Sequence, residues 1–196
     1  MGLNVISLEM LDPYLGGSVL SLGYPELSDS DGRIEDIISA KGGTFACVDI
    51  FQHQGFEIIC DLNQPVRFVQ HDLVIDPGTL EHCFNIGQAF MNAAGAVKLG
   101  GRIFHGSPMS MLNHGFYNLN PTLFGFFYQS NGFEIERIEA RSMGGIGNEI
   151  PMRLHARFAG DGNSAIYCLA KRIEEKTFMF PTQNKYTNAK QYSKRV

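Results

Sequence analysis

The stretch from His71 to Pro108 is the part of this 196-residue sequence that most restricts the fold. It reads HDLVIDPGTLEHCFNIGQAFMNAAGAVKLGGRIFHGSP: an apolar run, an acidic turn, a segment with helical periodicity, a double glycine and a second apolar run. This order predicts one βαβ unit with parallel strands. Open parallel sheets bind ligands at the carboxyl ends of their strands. The turn Asp76-Pro77-Gly78 stands at such an end.

Other apolar runs extend this unit into a larger α/β sheet. The predicted strands are Ser18 to Leu22, Thr44 to Ile50, Phe56 to Cys60, Leu73 to Ile75, Arg102 to His105, Phe133 to Arg141 and Ala165 to Ile173. Helices are predicted from about Ser30 to Lys41, after Glu81 with Gly100 as its left-handed cap, and from Pro121 to Asn131 with Asn120 as N-cap. No full helix fits between Phe51 and Gly55, because a parallel crossover needs a dozen or more residues.

Composition places the chain among globular proteins of one domain. Charged residues make up 18% and apolar residues 44% of the sequence. No apolar run reaches membrane-spanning length, and the amino terminus lacks a basic segment followed by an apolar one, so we expect a cytoplasmic protein without membrane contact. The four cysteines form no CxxC pair and the six histidines form no HxxxH motif. Reduced core thiols and no dedicated metal site are therefore expected.

The order of residues in the central stretch resembles a sequence motif of a known protein family. A strand that ends in Asp76, then Leu80-Glu81-His82, then a helix that ends at Lys98-Leu99-Gly100-Gly101 before the next strand, resembles the second half of a class I S-adenosylmethionine-dependent methyltransferase domain. The resemblance covers about Ser18 to about Ile173. It implies an α/β, Rossmann-like, mostly parallel twisted sheet with helices on both faces and a C-terminal antiparallel hairpin.

The resemblance divides the chain into a methyltransferase-like domain, residues 1–175, and a basic C-terminal tail, residues 176–196. From Lys176 onward there are five basic residues and no acidic one, although the whole chain has a net charge of -4. Such a tail suggests contact with an anionic partner or with the acidic body of the protein. The alternative is a solvated terminus.

The family's glycine-rich turn is altered here. In the family an acidic residue and GxGxG follow the first strand, and here the matching stretch is Ser21-Leu22-Gly23-Tyr24-Pro25-Glu26-Leu27. Only Gly23 matches, because Ser21 replaces the acid while Pro25 and Leu27 replace two glycines. One interpretation is a lost cofactor site. In the other, the loop up to Ser30 swings away, Tyr24 packs near the cofactor and Glu26 meets its amino group.

The remaining cofactor contacts follow from strand ends. The resemblance implies that Asp49 accepts both ribose hydroxyls, that Asp61 accepts from the exocyclic amine of adenine, and that Leu62 covers the adenine ring. Asp76 and Thr79 stand where the family places both cofactor and substrate. For Asp49 and Asp61 the alternative is a plain loop or turn residue.

The segment from Ser107 to Asn118 is expected to be the acceptor-binding loop, because it is polar, aromatic and follows the fifth strand. Asn113, Tyr117 and Asn118 are the candidate substrate-binding residues. His114, and with less support His82, is the candidate general base, since an imidazole titrates near neutral pH. The competing interpretation of each histidine is a structural residue with satisfied hydrogen bonds.

We therefore expect transfer of a methyl group from S-adenosyl-L-methionine to a hydroxyl or amine of a small molecule or glycan. A non-catalytic binding or scaffold protein on the same fold is the alternative, supported by the altered turn. A nicotinamide enzyme is disfavoured because no GxGxxG follows the first strand. Nucleic acid is not expected as a partner, because basic residues are neither abundant nor interleaved with aromatics outside the tail. Homo-oligomerisation is left open.

Overall fold

The computed structural model describes residues 2–28, 31–142, 148–152, 154, 157–158, 162–183 and 186. Eight strands form one sheet. They are β1 (Ser18–Leu22), β2 (Thr44–Asp49), β3 (Ile58–Ile59), β4 (His71–Asp76), β5 (Val97–Ser110), β6 (Phe133–Ser142), β7 (Glu149–Ile150) and β8 (Ser164–Arg172). Four α-helices accompany them: α1 (Val5–Leu11), α2 (Ile34–Ala40), α3 (Ile86–Gly95) and α4 (Pro121–Ser130). Two single 3-10 turns cover Asp12–Tyr14 and Leu80–His82.

The sheet is parallel over its first five strands and antiparallel over the rest. The strand order is β3-β2-β1-β4-β5-β8-β6-β7. β1 lies between β2 and β4, with parallel pairing on both sides. β8 runs antiparallel between β5 and β6. The predicted parallel sheet, with an antiparallel C-terminal pair, is thereby confirmed, and its strand order reverses between β1 and β4, where such folds bind ligands.

Helices cover both faces of the sheet. One core layer packs α3 and α4 on the sheet through Phe90, Phe124 and Tyr128, all nearly or fully buried. The other packs α1 and α2 on the opposite face through Leu11 and Ile38. None of the helices in the described part of the chain is long and apolar enough to span a bilayer.

Helix α4 begins and ends where its sequence signals predict. The Asn120 side chain accepts a hydrogen bond from the Leu123 amide, and Pro121 occupies the first turn, where its missing N–H costs nothing. After the last turn Gly132 takes a φ of +79°, which a residue with a side chain adopts only at a cost. β1 likewise matches its predicted bounds residue for residue.

The segment around the double glycine differs from its prediction. α3 begins at Ile86 and ends at Gly95, so Val97 is the first residue of β5 and not part of a helix face. Gly100 has the predicted positive φ, +81°, but it lies inside β5. There it belongs to a bulge, because the pairing of β5 with β4 shifts register between His71 and Leu73.

Two further boundaries are corrected. The predicted strand from Phe56 to Cys60 shortens to β3, Ile58–Ile59, which still pairs parallel with β2. Residues 51–55 contain bends and no helix, as expected from the short connection. β5 continues to Ser110 because its partner β8 pairs with it as far as Ser164. The first four residues of the predicted acceptor loop are therefore strand.

The start of the predicted tail packs on the body of the protein. The Met179 backbone amide donates to the side-chain Oδ1 of Asn131 at 2.7 Å, and the side-chain Nδ2 of Asn131 donates to the Met179 carbonyl oxygen at 3.0 Å. The Phe178 ring contacts Phe133 and lies beneath the Arg172 guanidinium, 5.2 Å from its carbon. Most of the basic residues of the tail lie outside the described part of the chain.

Candidate functional site

The carboxyl ends of β1, β2 and β4 enclose a cavity of about 350 Å³. It is lined by Gly2, Gly23, Tyr24, Glu26, Asp49, Pro77, Gly78 and Thr79. Five of these were predicted cofactor-binding residues, namely Gly23, Tyr24, Glu26, Asp49 and Thr79. The parallel register explains the assembly, because Leu22 pairs with Val48 and Ser21 pairs with Ile75, so all three strands end at one edge.

Gly23 is the residue that lets two strand ends approach each other. Its φ is +87°, and a Cβ there would collide with the Thr79 Oγ1 of the neighbouring turn. Its amide donates to the Val48 carbonyl oxygen at 2.7 Å, and its own carbonyl oxygen accepts from the Ser21 hydroxyl at 2.7 Å. Ser21 stands where the family has an acid. Its hydroxyl thus stabilises the backbone of the turn by a hydrogen bond.

The cavity presents negative charge. Asp49 Oδ1 accepts from the Ile50 amide at 2.7 Å and Oδ2 accepts from the Tyr24 amide at 3.3 Å, which fixes the carboxylate at the end of β2. Glu26 is the second carboxylate, and it is exposed. The eight described lining residues include no lysine or arginine. A cationic ligand group would therefore be favoured here.

The loop after Gly23 is closed by the N-terminal segment. The Leu3 amide donates to the Glu26 carbonyl oxygen at 2.7 Å, and the Ser28 amide donates to the Leu3 carbonyl oxygen at 2.8 Å. Leu27 forms an isolated parallel bridge with Leu3, so residues 26–28 of the loop pair with the N-terminal segment. The Tyr24 hydroxyl donates a hydrogen bond to the Glu35 carboxylate on α2 at 3.2 Å. Burial raises the pKa of Tyr24.

The Asp76 side chain forms hydrogen bonds with groups inside the protein. Its side chain is fully buried, and Oδ1 accepts from the amides of Gly78, Thr79 and Leu80, the shortest of these bonds being 2.8 Å. Oδ2 accepts a 2.7 Å hydrogen bond from Nδ1 of buried His105. Asp76, a predicted cofactor-binding residue, therefore has both oxygens engaged within the protein, and it is not among the residues that line the cavity.

His105 extends this network to α4. Since Nδ1 donates to Asp76, Nε2 is the acceptor nitrogen and receives a hydrogen bond from the Tyr128 hydroxyl. Burial raises the pKa of Tyr128 well above its ordinary value. No local pattern in the sequence predicts either hydrogen bond, because the partners are 29 and 23 residues apart along the chain and lie in apolar runs typical of core.

The predicted adenine contacts lie apart from the cavity lining. Asp61 Oδ1 accepts from both the amide and the side-chain nitrogen of Asn63, which lowers the pKa of Asp61 and stabilises a turn. Leu62 is buried in the core layer beneath α3, and its carbonyl oxygen accepts from the Asn92 side chain at 3.0 Å. In this arrangement Asp61 and Leu62 hold the β3 end of the sheet against α3.

The predicted acceptor loop divides into two parts. The Asn118 side chain accepts from the Met111 amide at 2.8 Å, and the Tyr117 hydroxyl donates to the Phe84 carbonyl oxygen at 2.9 Å. Both residues line a second cavity of about 340 Å³ next to α4. His114 does not line it. Asn113 adopts a φ of +58°, so it shapes the turn.

His114 instead meets Glu81 and His82. One ligand atom from each of the three side chains lies within 4.8 Å of the other two. Burial raises the pKa of the Glu81 carboxyl to about 8 and lowers the pKa values of His82 and His114. The sequence contains no spacing that predicts this cluster, because β4 and β5 bring together residues about thirty positions apart.

These features define the class of protein: an α/β fold with a ligand cavity at the switch point of its parallel sheet. No protein-family model and no curated protein matches the chain in sequence. Solved structures do match. The 1,6-didemethyltoxoflavin-N1-methyltransferase of Burkholderia thailandensis, with bound 1,6-didemethyltoxoflavin and S-adenosylhomocysteine, has a TM-score of 0.58 at 15% identity, over 85% of this chain and 76% of that one.

Two other matches agree. A SAM dependent methyltransferase from Archaeoglobus fulgidus has a TM-score of 0.60 at 16% identity, over 85% of this chain and 91% of that one. The N-methyltransferase NodS from Bradyrhizobium japonicum WM9 has a TM-score of 0.52 at 13% identity, over 85% and 93%. The chain therefore has the fold of S-adenosylmethionine-dependent methyltransferases. Identity this low establishes the fold alone.

Proposed function

We propose that the protein transfers a methyl group from S-adenosylmethionine to a hydroxyl or amine of a small molecule. The cavity that joins the carboxyl ends of β1, β2 and β4 is the observation that carries this proposal. It lies at the switch point of the sheet, where folds of this kind bind nucleosides. The Burkholderia neighbour binds a small molecule together with S-adenosylhomocysteine, which favours a small acceptor over a glycan.

Two carboxylates suit the charged and polar parts of this cofactor. Asp49 is held by two backbone amides, and its remaining lone pairs are available to the two ribose hydroxyls. Glu26 lies on the same cavity and suits the ammonium group of the methionine part. The backbone turn at Gly23 would lie against the same methionine part. None of the described residues that line the cavity is a lysine or arginine that would repel the sulfonium.

The acceptor belongs on the side of Glu81, His82 and His114. Thr79 lines the cofactor cavity, and this cluster begins two residues later along the same turn. Exposed Phe84 and Phe116 contact edge to face at 5.6 Å and offer an apolar surface for a ring. A hydroxyl acceptor must lose a proton, and the histidine cluster is placed to take it, whereas a neutral amine needs no base for the transfer itself.

Calorimetric titration with S-adenosylhomocysteine tests the cofactor site. Asp49→Ala removes a charge-assisted hydrogen-bonding partner, and we expect a loss of about 1.5 to 3 kcal/mol in binding. This corresponds to a roughly 10- to 150-fold higher Kd. Asp36→Ala is the matched control, because Asp36 is exposed on α2 and is not among the residues that line the cavity. Equal affinity of the wild type and a folded Asp49→Ala variant would reject the ribose role.

A non-catalytic function is the second candidate. The observation that favours it is the closure of the loop after Gly23 by Leu3, together with buried Pro25 where the family has a glycine. The same titration separates the two candidates. If wild-type protein binds neither S-adenosylmethionine nor S-adenosylhomocysteine at millimolar concentration, the binding or scaffold function replaces the enzymatic one.

A further inference from the structure

The side chains of Glu81, His82 and His114 converge beside the proposed acceptor region. Glu81 and His82 belong to the 3-10 turn that follows β4, and His114 belongs to the loop that follows β5. Parallel pairing of β4 with β5 places these two connections side by side. The loop is held there by its backbone, since the Phe116 amide donates to the Glu81 carbonyl oxygen at 3.0 Å.

Glu81 is the unusual member of the cluster. Its side chain is fully buried, and neither carboxylate oxygen has a hydrogen-bond partner among the described residues. A Cβ on Gly115 would lie 3.0 Å from the Glu81 Cγ, so the loop backbone packs directly on the methylene stem of the Glu81 side chain. A buried carboxyl without a donor is costly unless it holds a proton or meets a cation. The fold therefore keeps a buried carboxyl group here to which none of the described residues donates a hydrogen bond.

The distances within the cluster suit a shared cation better than a direct contact. His114 Nε2 lies 3.6 Å from Glu81 Oε1, which is too long for a hydrogen bond, and that nitrogen is buried without a hydrogen-bond partner in the described chain. Nitrogen and oxygen ligands stand about 2.0 to 2.2 Å from Zn²⁺, so two ligands of one ion lie roughly 3 to 4 Å apart. A ligand atom of the exposed His82 side chain lies within 4.8 Å of one from each of the other two residues and completes the set.

We propose that Glu81, His82 and His114 bind one divalent transition-metal ion of the zinc type. Two imidazole nitrogens and one carboxylate oxygen are donors typical of Zn²⁺, Co²⁺ and Fe²⁺, whereas Mg²⁺ and Ca²⁺ prefer oxygen alone. This departs from the expectation, based on sequence spacing, of no metal site. Metal binding does not depend on the proposed methyl transfer.

Three protein ligands leave the ion with an open position. His82 is exposed and His114 is partly exposed, so that position faces solvent and the neighbouring acceptor region, while buried Glu81 closes the inner side. A hydroxyl oxygen of the acceptor, or a water molecule, would fill it. A bound metal lowers the pKa of such an oxygen. His114 would then act as a ligand, the metal would stabilise the acceptor oxygen as its proton is lost, and the proton would pass to solvent water, which the open position faces.

Cobalt binding to the full-length chain tests the site. Protein treated with a chelator and then freed of it is titrated with Co²⁺ at pH 7.5 without cofactor, and visible absorption is followed. We expect one ion per chain, with d–d bands of a four- or five-coordinate nitrogen and oxygen site, displaced by one equivalent of Zn²⁺. Glu81→Gln, His82→Ala and His114→Ala should each raise the Kd for Co²⁺ at least 10-fold. His53→Ala, which removes an exposed histidine elsewhere, should leave it unchanged.

Three results would overturn the proposal. They are no saturable 1:1 binding by wild type, an unchanged Kd in both histidine variants, or an intense thiolate-to-cobalt band that places the ion on a cysteine. Because His82 and His114 are partly exposed, their variants keep the test decisive if Glu81→Gln fails to fold. S-adenosylhomocysteine titration of the same His114→Ala sample separates this outcome from failure of the methyltransferase proposal, since cofactor affinity should be retained.

Discussion

Asp76 shows how a carboxylate at a strand end can serve the fold instead of a ligand. Its position after β4 is one that favours ligand binding, yet three backbone amides and His105 use both of its oxygens. The result is a hydrogen-bonded turn that places Gly78 and Thr79 in the lining of the cavity at the ends of β1, β2 and β4. Local sequence could not predict this, because the imidazole that completes the network comes from β5.

Tyr128→Phe tests how much this network contributes to stability. The substitution removes the hydroxyl and leaves Nε2 of buried His105 without its donor, so we expect a loss of about 1 to 3 kcal/mol in the free energy of unfolding. Denaturant titration followed by circular dichroism measures it. Tyr117→Phe is the matched control, because its hydrogen bond to Phe84 is exposed and should contribute about 1 kcal/mol or less. An equal loss in both variants would contradict a special role of the buried network.

At the level of elements, the sequence predicts a helix boundary correctly where its local signal fits one structure only. Where the signal fits two structures, the prediction differs from the fold. Asn120, Pro121 and Gly132 carry cap and stop signals that act over one turn, and α4 follows them. The double glycine Gly100-Gly101 carries a signal that a helix end and a strand bulge share. Only the pairing of β5 with β4 decides between them, and that pairing is not a local property.

The two glycines of the bulge are expected to respond differently to alanine. A Cβ on Gly101 would lie 2.9 Å from the Asp72 carbonyl oxygen and 3.0 Å from that of Lys98, and backbone atoms cannot move aside. We expect Gly101→Ala to lower the free energy of unfolding by about 2 to 3 kcal/mol. A Cβ on Gly100 would have no atom within 4 Å. We therefore expect Gly100→Ala to lower the free energy of unfolding only through the strain of a positive φ, by about 1 kcal/mol. Thermal unfolding of both variants checks the order, and a reversed order would refute this account of the bulge.

For the whole molecule, the order of apolar runs was enough to predict the sheet, and the strand ends were enough to predict where the cavity lies. Five predicted cofactor residues do line one cavity. What the sequence analysis missed are side-chain partners far apart in the chain: Asp76 with His105, and Glu81 with His114. Such pairs depend on the register of β4 against β5, which no local pattern encodes.

A charged cluster also joins the central strands at the opposite, amino end of the sheet. The Asp72 carboxylate accepts from the Ser18 amide at 2.8 Å, from the Ser18 hydroxyl at 2.6 Å and from the Lys98 ammonium at 2.9 Å. These residues belong to β4, β1 and β5, so one carboxylate ties three neighbouring strands. The hydrogen bonds from Ser18, followed by those from Lys98, hold the pKa of Asp72 well below its ordinary value of 3.8.

This shift makes the stability of the whole chain depend on pH in a definite direction. A carboxyl whose pKa is lowered by folding stabilises the native state above its unfolded pKa, and that contribution is lost as pH falls through the folded pKa. Asp72→Asn should therefore lower the free energy of unfolding at pH 7, and the difference from wild type should shrink steadily below about pH 4. Because the side chain is 48% exposed, solvent screening limits the effect to about 1 kcal/mol.

Urea unfolding of wild type, Ser18→Ala, Asp72→Asn and the double variant between pH 7 and pH 2 measures this dependence. The two single changes should be non-additive at pH 7, since both disrupt the hydrogen bond from the Ser18 hydroxyl to the Asp72 carboxylate, and should approach additivity in acid, where that carboxylate is increasingly protonated. Salt at 0.5 M should reduce the Asp72→Asn effect, because the Lys98 pair is exposed to solvent. A difference between wild type and Asp72→Asn that stays constant with pH would show that packing against Gly17, and not charge, accounts for the contribution of Asp72.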